Sequence, residues 1–207
     1  MKSKLELTRP QYSEFLTDPD AIRAFERLFG VGARFEDYQY SDVDFPIIIR
    51  TTGAGIPSLA VLNGNITMPQ WQVNDVNICE SQEIPHSWRQ GSEAYWHLHL
   101  TTNGLDATDR YVRFNLEYGY VAVNGTWTFP PAVTTADLLI PANTPNRTML
   151  VFNLATFTPK DGVGGHAVAR LQRVAAVGAA PTLNPFIPML QVHYLSDTIG
   201  SRTVGAK

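Results

Sequence analysis

The twelve residues from Arg110 to Val121 alternate strictly in character. Val112, Phe114, Leu116, Tyr118 and Tyr120 fall on one side, and Tyr111, Arg113, Asn115, Glu117 and Gly119 on the other. Successive strand residues point to opposite faces, so a period of two over this length describes a strand with one face on a core and one toward water. A chain built around such a strand needs an antiparallel sheet and a second layer to cover it. The same alternation recurs in 94–101 (Trp96, Leu98 and Leu100 inward; Tyr95, His97 and His99 outward), in 149–157 (Leu150, Phe152 and Leu154) and in 189–195 (Leu190, Val192 and Tyr194 inward; Gln191 and His193 outward). Prolines at 46, 57, 69, 85, 130, 131, 141, 145, 159, 181, 185 and 188 leave few windows for a helix longer than two turns. Further strands are expected near 58–62, 66–71, 75–80, 126–129, 137–140 and 166–177. Asn63-Gly64 and Asn124-Gly125 are expected hairpin turns, because both residue types tolerate positive φ. Eight to ten strands suit a jelly-roll-like antiparallel β-sandwich, so the fold class is mainly β.

The first thirty residues follow another rule. Asp18-Pro19-Asp20 offers an N-cap and a proline at the first helical position, and Gly30 a C-terminal stop. Between them Ile22, Phe25, Leu28 and Phe29 repeat at spacings of three and four, an apolar stripe on a short helix. A helix this short does not persist alone in water, so its stripe calls for a surface to cover it. The expected organisation is a helical N-terminal arm over 1–30 serving attachment, an extended linker over 31–57 and a β-sandwich over 58–207.

Charged residues are 17% of the 207, against roughly 25% in an ordinary domain. Surface hidden against partner subunits is one way to sustain so low a share. The net charge of −3 lacks the basic face that phosphate contacts require, so no nucleic-acid partner is expected. The opening MKSKLELTRP has no apolar signal core, and no stretch approaches a membrane span; folding in a reducing cytoplasm, without membrane contact, is the expectation. Cys79 is the single cysteine and is expected to be a buried, inert thiol.

Candidate chemistry is sparse. His97 and His99, two apart on a strand, share a face and can approach one metal, and Gly91-x5-His97-x-His99 resembles the opening of the cupin metal motif. The glutamate and third histidine of that motif are missing, so no metal or other cofactor is expected, with a cupin-like metal protein kept as the remote alternative. Glu80, Glu83 and Glu93, and Asp106 and Asp109, are expected as solvated loop charges rather than a catalytic pair. Gly162-Val163-Gly164-Gly165 reads as a hairpin turn, since a phosphate cradle needs a helix after its glycines. No G-x-S-x-G elbow occurs, and the chain is not expected to be an enzyme. His97, His99, Arg113, Glu117 and His193, with Tyr95 and Gln191, lie on outward strand faces. If their strands are neighbours, they form one polar, aromatic-bearing surface fit for a glycan or another subunit.

Several segments together resemble virion structural proteins of tailed bacteriophages. Leu7-Thr8-Arg9-Pro10-Gln11-Tyr12-Ser13-Glu14-Phe15-Leu16 with Ala21-Ile22-Arg23-Ala24-Phe25-Glu26 looks like their opening. Tyr95–Leu100, Tyr111–Tyr118 and Gln191–Arg202 are similar to segments of jelly-roll virion proteins. The resemblance implies a non-catalytic capsid decoration (cement) protein or a head or tail accessory protein, oligomeric, built into the virion in the host cytoplasm. Its partners would be other virion proteins such as the major capsid protein or portal and tail components. A carbohydrate-binding module for a host surface glycan is the alternative.

Overall fold

The computed structural model describes residues 39–47, 55–89, 91–158 and 164–196. The chain divides into two units, Met1–Gln39 and Tyr40–Lys207. Almost all of the first, including the arm residues Ile22, Phe25, Leu28 and Phe29, lies outside the described residues, as does most of the stretch read as a linker.

Among the described residues there are eleven strands and no helix: β1 (Gln39–Pro46), β2 (Ser58–Asn63), β3 (Ile66–Gln70), β4 (Val76–Glu83), β5 (Ala94–Thr101), β6 (Arg110–Val121), β7 (Val133–Thr134), β8 (Leu138–Ile140), β9 (Met149–Phe157), β10 (His166–Val174) and β11 (Phe186–Ser196). They form two antiparallel sheets. One runs β2-β3-β11-β5-β9, with β1 also paired to β11; the other runs β4-β10-β6-β7, with β8 also on β6. The inward residues read from the alternation face each other across the sandwich. Trp96 is fully buried against Phe45, Tyr118 and Phe157, with ring centroids 4.6, 5.8 and 5.5 Å away. Leu98, Leu100, Phe114, Leu116 and Leu171 complete the centre. Each such side chain contributes about 1.5–3 kcal/mol by leaving water, which makes this layer the main source of stability.

Four local readings change. The stretch 31–57 is not wholly a linker: β1 lies within it, because Val43 and Phe45 alternate with Asp42 and Asp44 and the apolar pair turns to the core. After Pro46, Ile47 bridges Cys79 on β4, so the chain steps from one sheet to the other within two residues. The stretch 126–129 yields only a bridge, Thr128 to Tyr120, rather than a strand. The hairpin after β2 turns at Gly64-Asn65, with Gly64 at φ +54°. The glycine cluster before β10 is not a hairpin turn, since β9 and β10 belong to different sheets. Gly165 there passes so close to Val121 that an added Cβ would sit 2.1 Å from its carbonyl oxygen, which explains the glycine.

β9 carries a bulge. Trp96 pairs with Ala155 but His97 with Asn153, leaving Leu154 as an extra residue. Leu150 and Phe152 are inward before it, and Ala155 and Phe157 after it.

Candidate functional site

β1, β11, β5 and β9 place a polar cluster on the outer face of the six-stranded sheet. Register explains the grouping. His97 pairs laterally with Gln191 on one side and Asn153 on the other, Tyr95 with His193, and His99 with Val151. Directly paired residues share a sheet face, so one row of outward side chains crosses three strands. β1 adds Tyr40 and Asp42 at the margin. Together Tyr40, Asp42, Tyr95, His97, His99, Val151, Asn153, Gln191 and His193 line an open cleft of about 480 Å³.

Its polar groups are mutually oriented. Gln191 Nε2 donates to Asp44 Oδ1, which leaves Gln191 Oε1, 2.7 Å away, to accept from His97 Nε2. His193 Nδ1 lies 2.6 Å from Asp42 Oδ1, and that same carboxylate oxygen is 3.8 Å from His97 Nε2. Tyr40 stacks on the His193 ring at 4.6 Å and 10°, and meets Tyr95 edge-on at 6.4 Å. His99 holds its Nδ1 3.4 Å from Met149 Sδ, while its Nε2 is buried without a partner. Although on an outward face, His97 is only 7% exposed. That burial pulls its imidazole below its ordinary pKa; Gln191 and Asp42 oppose the shift, and His99 and His193 add to it.

The sequence-expected surface divides in two. His97, His99 and His193 meet, with Tyr95 and Gln191. Arg113 and Glu117 do not join them, because β6 belongs to the other sheet. Arg113 Nε donates to the Thr135 carbonyl at 2.8 Å, and Glu117 pairs with Arg170 directly opposite on β10. His97 and His99 have centroids 5.2 Å apart, but the residues whose ligand atoms converge are Asp42, His97 and His193. Sequence reasoning missed Tyr40 and Asp42. Their signal was the short alternation of Tyr40, Asp42 and Asp44 with Val43 and Phe45, in a stretch read as linker.

The carboxylates read as loop charges serve the scaffold. Glu80 and Glu83 are on strand β4, not in a loop, and Glu83 meets His86 at 3.2 Å. Glu93 accepts from the Tyr95 hydroxyl. Asp106 accepts from Thr182 and pairs with Arg110 at 3.0 Å, and Asp109 accepts from the Ala142 N–H at 2.8 Å.

No protein-family model and no curated protein sequence matches the chain. Among solved structures it is similar to a chain in the structure of infectious bursal disease virus Gx strain, with TM-score 0.38 and 13% identity over 81% of this chain and 35% of that one. It is also similar to the crystal structure of the infectious bursal disease virus VP2 subviral particle, with TM-score 0.34 and 9% identity over 78% and 34%. The C-terminal family 22 carbohydrate binding module of Clostridium thermocellum Xyn10B matches with TM-score 0.31 and 12% identity, over 80% of this chain and 92% of the module. The chain thus spans about a third of the viral chains it matches. Likenesses this low carry no argument about function.

Proposed function

We propose that the chain is a non-enzymatic structural component of a virus particle, of the bacteriophage decoration or head or tail accessory kind, attached through subunit contacts. One observation carries this reading: among the described residues, two edge strands of the six-stranded sheet, β2 and β9, are uncharged and expose apolar side chains, whereas the third edge strand, β1, carries Asp42 and Asp44. β2, Ser58–Asn63, holds no Lys, Arg, Asp or Glu, and its Leu59 and Val61 are 59% and 62% exposed. β9, Met149–Phe157, likewise holds none, and its Met149 and Val151 are 54% and 55% exposed. Proteins that stay monomeric blunt such edges with charge, proline or a cover, because unpaired N–H and C=O groups flanked by apolar side chains template association. At the edge of the other sheet β4 carries Glu80 and Glu83. The low overall charge and the phage-like segments agree with an edge reserved for partners. The implied setting is a virion assembled in the host cytoplasm, with other virion proteins and copies of this chain as neighbours.

The test combines light scattering of the purified chain with co-sedimentation on undecorated particles and tail complexes. Self-association or particle binding is expected, and Val61→Lys or Val151→Lys, each more than half exposed, should abolish it without unfolding the sandwich. A chain that is strictly monomeric at high concentration and binds neither particle would refute the role.

A second reading rests on the cleft. Tyr40 and Tyr95 offer ring faces and edges beside Asp42, Asn153 and His99, the mixture that seats a sugar ring. Binding to a surface glycan would be lost on Tyr40→Ala; a glycan array without hits removes this reading.

A further inference from the structure

We infer that Asp42, His97 and His193 form a binding site for a divalent transition-metal ion of the zinc class, with the Gln191 side-chain oxygen as a fourth donor. The inference is independent of the assembly role and of glycan binding. The three side chains come from three strands, β1, β5 and β11, and their ligand atoms all lie within 4.8 Å of one another. Four ligands placed tetrahedrally about 2.0–2.1 Å from zinc are roughly 3.3 Å apart. The distances here bracket that value: 2.6 Å from His193 Nδ1 to Asp42 Oδ1, 3.8 Å from His97 Nε2 to Asp42 Oδ1, and 2.7 Å from His97 Nε2 to Gln191 Oε1. Small side-chain shifts therefore bring the set to coordination distance with no change of backbone.

The chemistry of the donors also fits. Two imidazoles and one carboxylate suit zinc and its first-row neighbours, whereas calcium and magnesium prefer all-oxygen shells. On binding, each neutral imidazole carries its proton on the other ring nitrogen, Nδ1 of His97 and Nε2 of His193, so that His97 Nε2 and His193 Nδ1 present lone pairs to the ion. Outer contacts that fix ligand orientation are already in place: Asp44 holds the Gln191 amide, and Tyr40 lies flat on the His193 ring. His97, on β5 with strands paired on both sides, supplies an anchor, and the open cleft gives an entry path.

The test uses the full untagged chain, stripped with chelator and titrated with zinc by calorimetry and with cobalt(II) by visible absorption. One equivalent of zinc per chain is expected, with cobalt bands of a four-coordinate nitrogen–oxygen site. Asp42→Asn and His193→Gln are at exposed or half-exposed positions and should fold as the parent does. Each should weaken zinc binding by about tenfold or more. His166→Ala, outside the cleft, should leave the affinity unchanged. Absence of stoichiometric uptake, uptake indifferent to both cleft substitutions, or uptake lost on His166→Ala would each overturn the assignment.

Discussion

Arg173→Met tests how the two sheets are held at one end of the sandwich. Arg173 occupies an inward position on β10 and is only 2% exposed. Its Nη1 donates to the Trp71 carbonyl, just after β3, and to Asn184 Oδ1 at 2.8 Å, just before β11. A group of the five-stranded sheet thus satisfies two acceptors at the border of the six-stranded one. The Asp75 carboxyl is nearby; burial raises it above its usual range, against the pull of the Gln72 N–H and of Arg173. Two charge-assisted hydrogen bonds are worth about 1.5–3 kcal/mol each. Removing the guanidinium forfeits them and strands two buried acceptors, while relieving the cost of burying the charge. The net loss should be about 2–4 kcal/mol, near the range for breaking a buried ionic arrangement. Urea unfolding reads it as a lower midpoint with an unchanged slope. The loss should also depend on pH. Without Arg173 the Asp75 carboxyl rises further, and a carboxyl raised in the folded state costs stability only where the unfolded chain is ionised. The variant's deficit should therefore shrink as pH falls through the raised value toward the ordinary carboxylate range. A loss below about 0.5 kcal/mol, the level of an ordinary surface substitution, would refute the bridging role.

Other outcomes follow from the same structure. Burial pushes the Cys79 thiol up to about 12, so a thiol reagent at about pH 8 should label the native chain only as fast as it unfolds; rapid labelling would contradict the buried site. The Gly178 and Val177 N–H groups hold the Asp137 carboxyl below its usual value, so the tie is intact above the ordinary carboxylate range and lost as pH falls through the depressed value. The protection factor of the Gly178 amide, its exchange relative to the intrinsic rate at each pH, should fall in that acid window and should be low already at neutral pH in Asp137→Ala. Gly165→Ala should cost more than about 1–3 kcal/mol in thermal unfolding, because its Cβ meets a backbone oxygen. Gly119→Ala meets chiefly the ring of Phe129, 69% exposed, with the Thr128 carbonyl oxygen farther off at 3.3 Å, and should cost less than Gly165→Ala, about 1 kcal/mol.

The contrast between what was legible and what was not is physical. Inward residues on β5, β6 and β11 could be read directly, because the pleat alternates residue by residue and burial acts on each one locally. Sheet membership could not be read, because it is set by pairings such as His193 with Asp42, 151 positions apart. That is why Arg113 and Glu117 were grouped with the histidines although β6 lies in the other sheet. Arg173 is illegible for the same reason: only the distant carbonyl of Trp71 and the amide oxygen of Asn184 explain why a charged side chain faces inward. The site lost Tyr40 and Asp42 for a different reason. Their strand holds only two inward apolar residues, Val43 and Phe45, and its partner β11 lies near the far end of the described chain.

The extra residue at Leu154 behaves like a one-letter insertion in a two-letter code. Upstream of it even-numbered positions of β9 are written for the core, and downstream odd-numbered ones are. Deleting Leu154 would leave both halves in correct phase on a regular ladder, whereas deleting a residue elsewhere in the strand would turn one half inside out. Loss of Leu154 should therefore keep both halves of β9 in register but give up one buried leucine, at about 2–5 kcal/mol, whereas a deletion elsewhere would cost the register itself.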